Sequence, residues 1–155
     1  MTRTLKIEPI GSIHAGEGGF YAELLPQYRP ALSGLEGFGH VNLIWWFDRC
    51  DGPVLVERAP YRGGPEALGV FATRSPRRPN PLAVSCAGVT GLDLERGVLW
   101  LDYVDAFDGT PLLDVKPYVP SLDRVAGPLV PAWCAHWPGE VESSGDFDWA
   151  AEFNF

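Results

Sequence analysis

The chain has 155 residues, 46% of them hydrophobic, which suits one full core and is too short for two. Its formal net charge of −8 argues against broad attraction to nucleic acid, although a local basic patch stays compatible with it. No apolar run is long enough to span a membrane, and the opening MTRTLKIEPIG lacks a signal-peptide core. Cys50, Cys86 and Cys134 have no metal spacing and read as reduced, buried thiols in a cytoplasm.

With 18 glycines and 15 prolines, the chain reads as many short strands separated by turns. Leu5 to Ile13 is a predicted strand with Pro9 at an edge or bulge. Gly16-Glu17-Gly18-Gly19 lacks the lysine and following helix of a phosphate loop, so it is a turn into a second strand, Gly19 to Leu24. Pro26 to Leu35 holds at most one helical turn. His40 to Phe47 (HVNLIWWF) is nearly all apolar, which predicts a strand buried on both faces or at a subunit interface. Asp48-Arg49 follow where the chain leaves the sheet.

Val54–Ala59 and Leu68–Ala72 are shorter predicted strands, the second running into Arg74-Ser75-Pro76-Arg77-Arg78-Pro79-Asn80-Pro81. Proline cannot donate to a sheet ladder and holds its predecessor extended, so the arginines sit on a stiff loop. Guanidinium groups held in that way suit bidentate recognition of carboxylate or phosphate. Leu82–Leu92 is a long strand whose Ala83, Ser85 and Ala87 imply close backbone approach, and Glu95-Arg96-Gly97 closes a hairpin into Val98–Val104. Asp105 to Pro111 is a loop with two carboxylates and an aromatic, followed by the strand Leu112–Tyr118. Ser144 or Asp146 is a predicted cap for a last helix burying Phe147, Ala150 and Phe153.

This pattern points to an all-β protein, a closed antiparallel barrel with short peripheral helices, with a sandwich as the alternative. A single domain over 1–155 is expected, with the barrel core at about 5–120 and a C-terminal extension at 121–155. His14, His40 and His136 lack metal spacing, no metal is expected, and Ser75 has no evident base partner. Arginines 74, 77 and 78, carboxylates Asp48, Asp105, Asp108 and Asp114, Lys116, and aromatics Trp45, Phe107 and Tyr118 remain. That set suits a small molecule carrying both an anionic group and a cationic or aromatic one.

GVFATRSPRRPNP at Gly69–Pro81 and DGTPLLDVKPYVP at Asp108–Pro120 resemble the TsaA-like, or TrmO, family of S-adenosylmethionine-dependent tRNA methyltransferases. Ile10-Gly11-Ser12-Ile13-His14 and Leu35 to His40 support the resemblance, which spans roughly Pro9 to Pro120. It implies a dimeric barrel that binds S-adenosylmethionine near the subunit interface and methylates the exocyclic nitrogen of threonylcarbamoyladenosine beside a tRNA anticodon. By motif position, cofactor contacts would fall at Asp48, Arg49, Arg74, Val84 and the loop Asp105, Ala106, Phe107, Asp108. Substrate contacts would fall at Arg77, Arg78, Asn80 and Lys116, with Asp105 or Asp108 as the candidate catalytic base.

Three departures stand out. Ala15 to Gly19 is too short for the family's Pro/Gln loop, Asp48-Arg49 stands where a neutral polar residue is expected, and Leu82-Ala83 replaces Ile-Gly. No separate C-terminal RNA-binding domain is expected either. Two alternatives therefore stay open: a methyltransferase acting on a smaller nucleoside or metabolite, and a non-catalytic barrel that binds S-adenosylmethionine.

Overall fold

Short apolar strands separated by turns decide the first of the two folded units. In the computed structural model, which describes residues 3–154, these strands are β1 (Gly11–Gly16), β2 (Gly19–Leu24), β3 (His40–Trp46), β6 (Leu82–Asp93), β7 (Val98–Leu101) and β8 (Thr110–Pro117). They pair antiparallel into a closed barrel in the order β1-β2-β7-β6-β3-β8. The expected barrel is therefore present. This unit comprises the chain up to Cys50 together with Pro81–Asp123. A second unit, Asp51–Asn80 with the residues from Arg124 onward, holds the hairpin of β4 (Val56–Arg58) and β5 (Ala67–Gly69).

Ile13, Ala22, Leu24, Val41, Leu43, Trp45, Leu99, Leu101 and Leu112 fill the barrel. The near-continuous apolar run of β3 turns out to alternate: Val41, Leu43 and Trp45 are buried, while His40, Asn42, Ile44 and Trp46 are only partly so. Two of the outward residues, Ile44 and Trp46, are apolar too, which is why hydropathy alone suggested two buried faces. The small residues of β6 explain the inward side. Trp45 pairs with Ala83, Leu43 with Ser85 and Val41 with Ala87, so small side chains make room for the large ones. The Trp45 indole N–H donates to the Ser85 hydroxyl at 2.9 Å, which satisfies the indole's only donor inside the barrel.

The ends of the strands carry specific devices. β1 begins at Gly11, later than expected, because Pro9 has no N–H and the preceding residues stay outside the sheet. Glu17-Gly18 makes a two-residue turn between the paired Gly16 and Gly19. β7 stops at Leu101, short of the predicted Val104, because the Asp102 carboxylate takes over the pairing, accepting from the N–H groups of Gly88 at 2.8 Å and Tyr103 at 2.6 Å. A Cβ at Gly88 would lie 2.5 Å from an Asp102 carboxylate oxygen, so any larger residue there makes that carboxylate move.

In the second unit, two expectations are corrected. Val70–Ala72 is a 3-10 turn, not the end of a strand: Thr73 Oγ1 donates to the Val70 carbonyl at 2.8 Å and closes the turn. Phe71 is accordingly 83% exposed, while Val70 is buried. The last helix is two short ones, α2 (Val141–Ser144) and α3 (Trp149–Glu152), after α1 (Pro120–Asp123) in the barrel unit. Asp148, not Ser144 or Asp146, caps α3, accepting from the Ala151 N–H. Glu152 accepts from the Trp137 indole N–H at 3.0 Å and lies 2.9 Å from His136 Nε2. These bonds, Trp137's first, hold the Glu152 carboxyl below the usual carboxylate range.

Two predictions follow from these contacts. Gly88→Ala is expected to lower stability by about 1–3 kcal/mol, read as a lower urea midpoint, because the Asp102 carboxylate has to move. Glu152 has a depressed folded-state pKa, so its contribution is present above the unfolded carboxylate value and is lost as pH falls through the folded one. An acid titration followed by tryptophan fluorescence should therefore show a transition below the ordinary carboxylate range that Glu152→Gln removes.

Candidate functional site

At the end of β3 the chain leaves the sheet as Phe47-Asp48-Arg49, and the loop between β7 and β8 holds Asp105 to Gly109. Arg49 joins them. Its Nη2 donates to the Asp108 carbonyl at 2.6 Å, and its guanidinium carbon lies 5.6 Å from the centre of the Phe107 ring. Asp48 Oδ2 stands 3.9 Å from Arg49 Nε. Charge-assisted donation to a carbonyl, with a guanidinium over an aromatic face, adds to the backbone bonds that Gly109 N–H makes to Ile13 and Thr110 N–H makes to Phe107 in holding this loop. Gly109, with φ of 80°, lets the loop turn back into β8.

Asp108 is tied from its side chain as well. Its Oδ1 accepts from the Ala15 N–H at 3.2 Å and lies 3.3 Å from His14 Nδ1. His14 stacks on Tyr21 with ring centres 4.6 Å apart, and its Nε2 is 3.5 Å from Glu23. His14, Tyr21 and Asp108, with Ala15, Gly16, Gly18 and Gly19, line a shallow depression of about 260 Å³. His14 thus has a position beside the loop that its place in a motif did not disclose. Asp105 is exposed and has no hydrogen bond or ion pair among the described residues, while Ala106 packs against the barrel core. Phe107 is 66% exposed.

The remaining barrel residues are placed as follows. Val84 points outward from β6 and is about half exposed. Lys116 pairs with Asp114 at 2.8 Å, and that hydrogen bond raises the lysine pKa above its ordinary value. Trp45 is only 4% exposed inside the barrel and donates to Ser85, so it offers no face to a ligand.

The arginine loop belongs to the second unit. Arg78 is its internal staple: Nε donates to the Ser75 carbonyl at 3.0 Å, and Nη2 to the carbonyls of Val70 and Thr73 at 2.8 and 2.7 Å. Ser75 Oγ donates to Glu57 on β4 at 2.8 Å and accepts from the Arg77 N–H. Glu57 is a partner that nothing in the linear sequence marked, because it lies in a three-residue strand with no motif. Arg74, Arg77 and Asn80 are exposed, and the two arginines make no ion pair among the described residues. Val54 N–H donates to the Arg77 carbonyl at 3.0 Å. The loop therefore commits one guanidinium to its own backbone and presents two to the outside.

Among the described residues, no group of three or more His, Cys, Asp or Glu side chains is placed to hold a metal ion, and no helix is long and apolar enough to cross a membrane.

Comparison with known proteins places this arrangement. The family model of the tRNA-methyltransferase O N-terminal domain matches residues 4–124. A putative S-adenosylmethionine-dependent methyltransferase of Pseudomonas aeruginosa is 48% identical over 108 residues, covering 67% of this chain and 46% of that protein. A probable S-adenosyl-L-methionine-binding protein of Pyrococcus horikoshii is 38% identical over 122 residues, covering 76% of this chain and 85% of that protein. A tRNA (adenine(37)-N6)-methyltransferase of Eikenella corrodens is 43% identical over 96 residues, covering 56% of this chain and 54% of that protein. A crystal structure of TrmO superposes with a TM-score of 0.68 at 36% identity, covering 83% of this chain and 64% of that one. The chain spans less than half the length of the Pseudomonas relatives it matches. With the barrel, both long motifs and these matches in agreement, this chain belongs to the TrmO, or TsaA-like, family.

Proposed function

We propose that this chain binds S-adenosylmethionine and transfers its methyl group to the exocyclic nitrogen of threonylcarbamoyladenosine beside a tRNA anticodon, acting as a homodimer in the cytoplasm. The observation that carries the reading is the Arg49 contact with the Phe107-Asp108 loop, which holds an aromatic face and several carboxylates in place at one end of the barrel. The donor set fits the cofactor's chemistry. Asp48, Asp105 and Asp108 suit an ammonium and sugar hydroxyls, and the exposed Phe107 ring suits an adenine or a sulfonium. On the second unit, Arg74 is proposed to hold an anionic group of the cofactor, and Arg77 with Asn80 to hold the substrate. The half-exposed Val84, facing outward from β6, supports its proposed place as a cofactor contact near a subunit interface.

When bound, the cofactor supplies an electrophilic methyl carbon on a sulfonium; the carbon–sulfur bond breaks as the carbon–nitrogen bond forms, and the acceptor nitrogen loses a proton. Such an in-line displacement asks the protein chiefly for orientation, worth about 7–11 kcal/mol in favourable cases, and for a group that takes the proton. Asp105 suits the second task better than Asp108. Asp108 Oδ1 already faces the Ala15 N–H and His14, whereas the Asp105 carboxylate is uncommitted among the described residues. Lys116, paired with Asp114, and Arg78, bound to its own loop, are proposed to act on the substrate only through the segments they hold.

A second reading has its own support. The Pyrococcus relative is named for binding S-adenosylmethionine alone, and a net charge of −8 is unfavourable for a large RNA footprint. Binding without turnover, or turnover on a smaller acceptor, would distinguish these readings.

Isothermal titration with S-adenosylmethionine should show Arg74→Ala weakening binding about tenfold or more, or roughly 1.4 kcal/mol; unchanged affinity would remove Arg74 from the site. Asp105→Asn should lower kcat by about a hundredfold with cofactor affinity nearly unchanged. A loss of affinity equal to the loss of rate would make Asp105 a binding group instead. Binding of tRNA should weaken steeply, by roughly an order of magnitude or more, between about 50 and 200 mM salt, and insensitivity to salt would favour a small acceptor.

A further inference from the structure

Across the outer face of the barrel, three rings stand in one row. His14 on β1 is the cross-strand partner of Tyr21 on β2, and Tyr21 is the partner of Trp100 on β7. The imidazole stacks on the phenol with ring centres 4.6 Å apart and 16° between planes, and the phenol meets the indole at 4.7 Å. Gly91, opposite Trp100 on β6, makes room for the last ring, since a Cβ there would lie 3.2 Å from the indole. Cross-strand rings of this kind brace one another, so the plane of His14 is fixed. Glu23 Oε2 lies 3.5 Å from its Nε2, and Asp108 Oδ1 lies 3.3 Å from its Nδ1.

Asp108 is held in two separate ways. Its main chain is settled by Arg49, which donates to the Asp108 carbonyl, and by the Gly109 N–H, which donates to the Ile13 carbonyl. Neither bond touches the carboxylate. Among the described residues that group meets only the Ala15 N–H at 3.2 Å and the His14 ring, both through Oδ1. The terminal torsion of an aspartate is soft, and one bond to Ala15 leaves the side chain room to swing about it. The imidazole supplies the second point of contact. With Oδ1 engaged twice, Oδ2 has no partner among the described residues, on a side chain that is 67% exposed.

We propose that His14 is a positioning residue for Asp108, holding the carboxylate at the angle from which Oδ2 accepts from a hydrogen-bond donor of S-adenosylmethionine. This rests on Asp108 being a cofactor contact. The row of Trp100, Tyr21 and His14 then contributes to cofactor binding without touching the cofactor, because a carboxylate arranged before the ligand arrives loses less freedom on binding.

The test uses the full chain with His14→Phe, which keeps a ring on Tyr21 and removes both nitrogens. Three-bond couplings between the α and β protons of Asp108, measured by NMR without ligand, should change from single-rotamer values to averaged ones. His14→Asn, whose amide nitrogen falls near the place of Nδ1, should largely restore them. S-adenosylmethionine affinity should fall about three- to tenfold in His14→Phe, and the same substitution should cost nothing further in an Asp108→Ala background. Circular dichroism confirms that each variant is folded. Couplings that His14→Phe leaves unchanged, or that are already averaged in the wild type, overturn the proposal. An affinity loss that persists undiminished without Asp108 overturns it too, as does an affinity that His14→Phe leaves intact while Asp108→Ala lowers it. If Asp108→Ala itself leaves affinity intact, the cofactor assignment of Asp108 fails, whereas the couplings still decide whether His14 positions the carboxylate.

Discussion

The barrel depends on β3 being hydrogen-bonded along both edges, to β6 and to β8, while its inward side chains meet partners of complementary size. Trp45 is the largest of these. It fits because Ala83 lies opposite and because its only polar atom finds Ser85. A larger residue at either small position would overfill the interior, and losing the Ser85 hydroxyl would leave an indole N–H unsatisfied in an apolar core. Since Asp48-Arg49 directly follow β3, whatever holds the strand in register also sets where Arg49 starts.

From that starting point, a short chain of contacts builds the barrel-end site. Arg49 fixes the carbonyl of Asp108, and the Asp108 carboxylate accepts from the Ala15 N–H near the end of β1. The β1–β2 hairpin is therefore linked to the β7–β8 loop next to its two-residue turn.

The second unit solves a different problem with the same means. A loop rich in proline has few N–H groups for a regular ladder, so its carbonyls need partners from elsewhere. Arg78 supplies donors to three of them, and bonds of that charge-assisted kind are worth about 1.5–3 kcal/mol each. One arginine spent on structure leaves two for recognition. The aromatic C-terminal segment packs on the neighbouring hairpin through Tyr61, so a stretch without strands becomes ordered by ring stacking and a few backbone bonds.

The many short apolar strands broken by glycine and proline turns, and the hairpin turn at Glu95-Arg96-Gly97, pointed to an antiparallel barrel from the sequence alone, because turn chemistry is local and needs no knowledge of partners. The arginine loop and the Asp105–Asp108 loop were equally visible, since proline, glycine and clustered charge leave a linear signature. Their internal wiring was not. Arg74, Arg77 and Arg78 look alike in sequence, and only the folded backbone, by presenting three carbonyls to Arg78 alone, separates the structural arginine from the exposed ones. Trp45 read as a ligand-facing aromatic until the pleat put it inside, and Glu57 and Tyr61 carried no motif at all. Direction and long-range partnership are properties of the tertiary fold, because a side chain's role depends on which distant backbone atoms arrive within hydrogen-bonding reach.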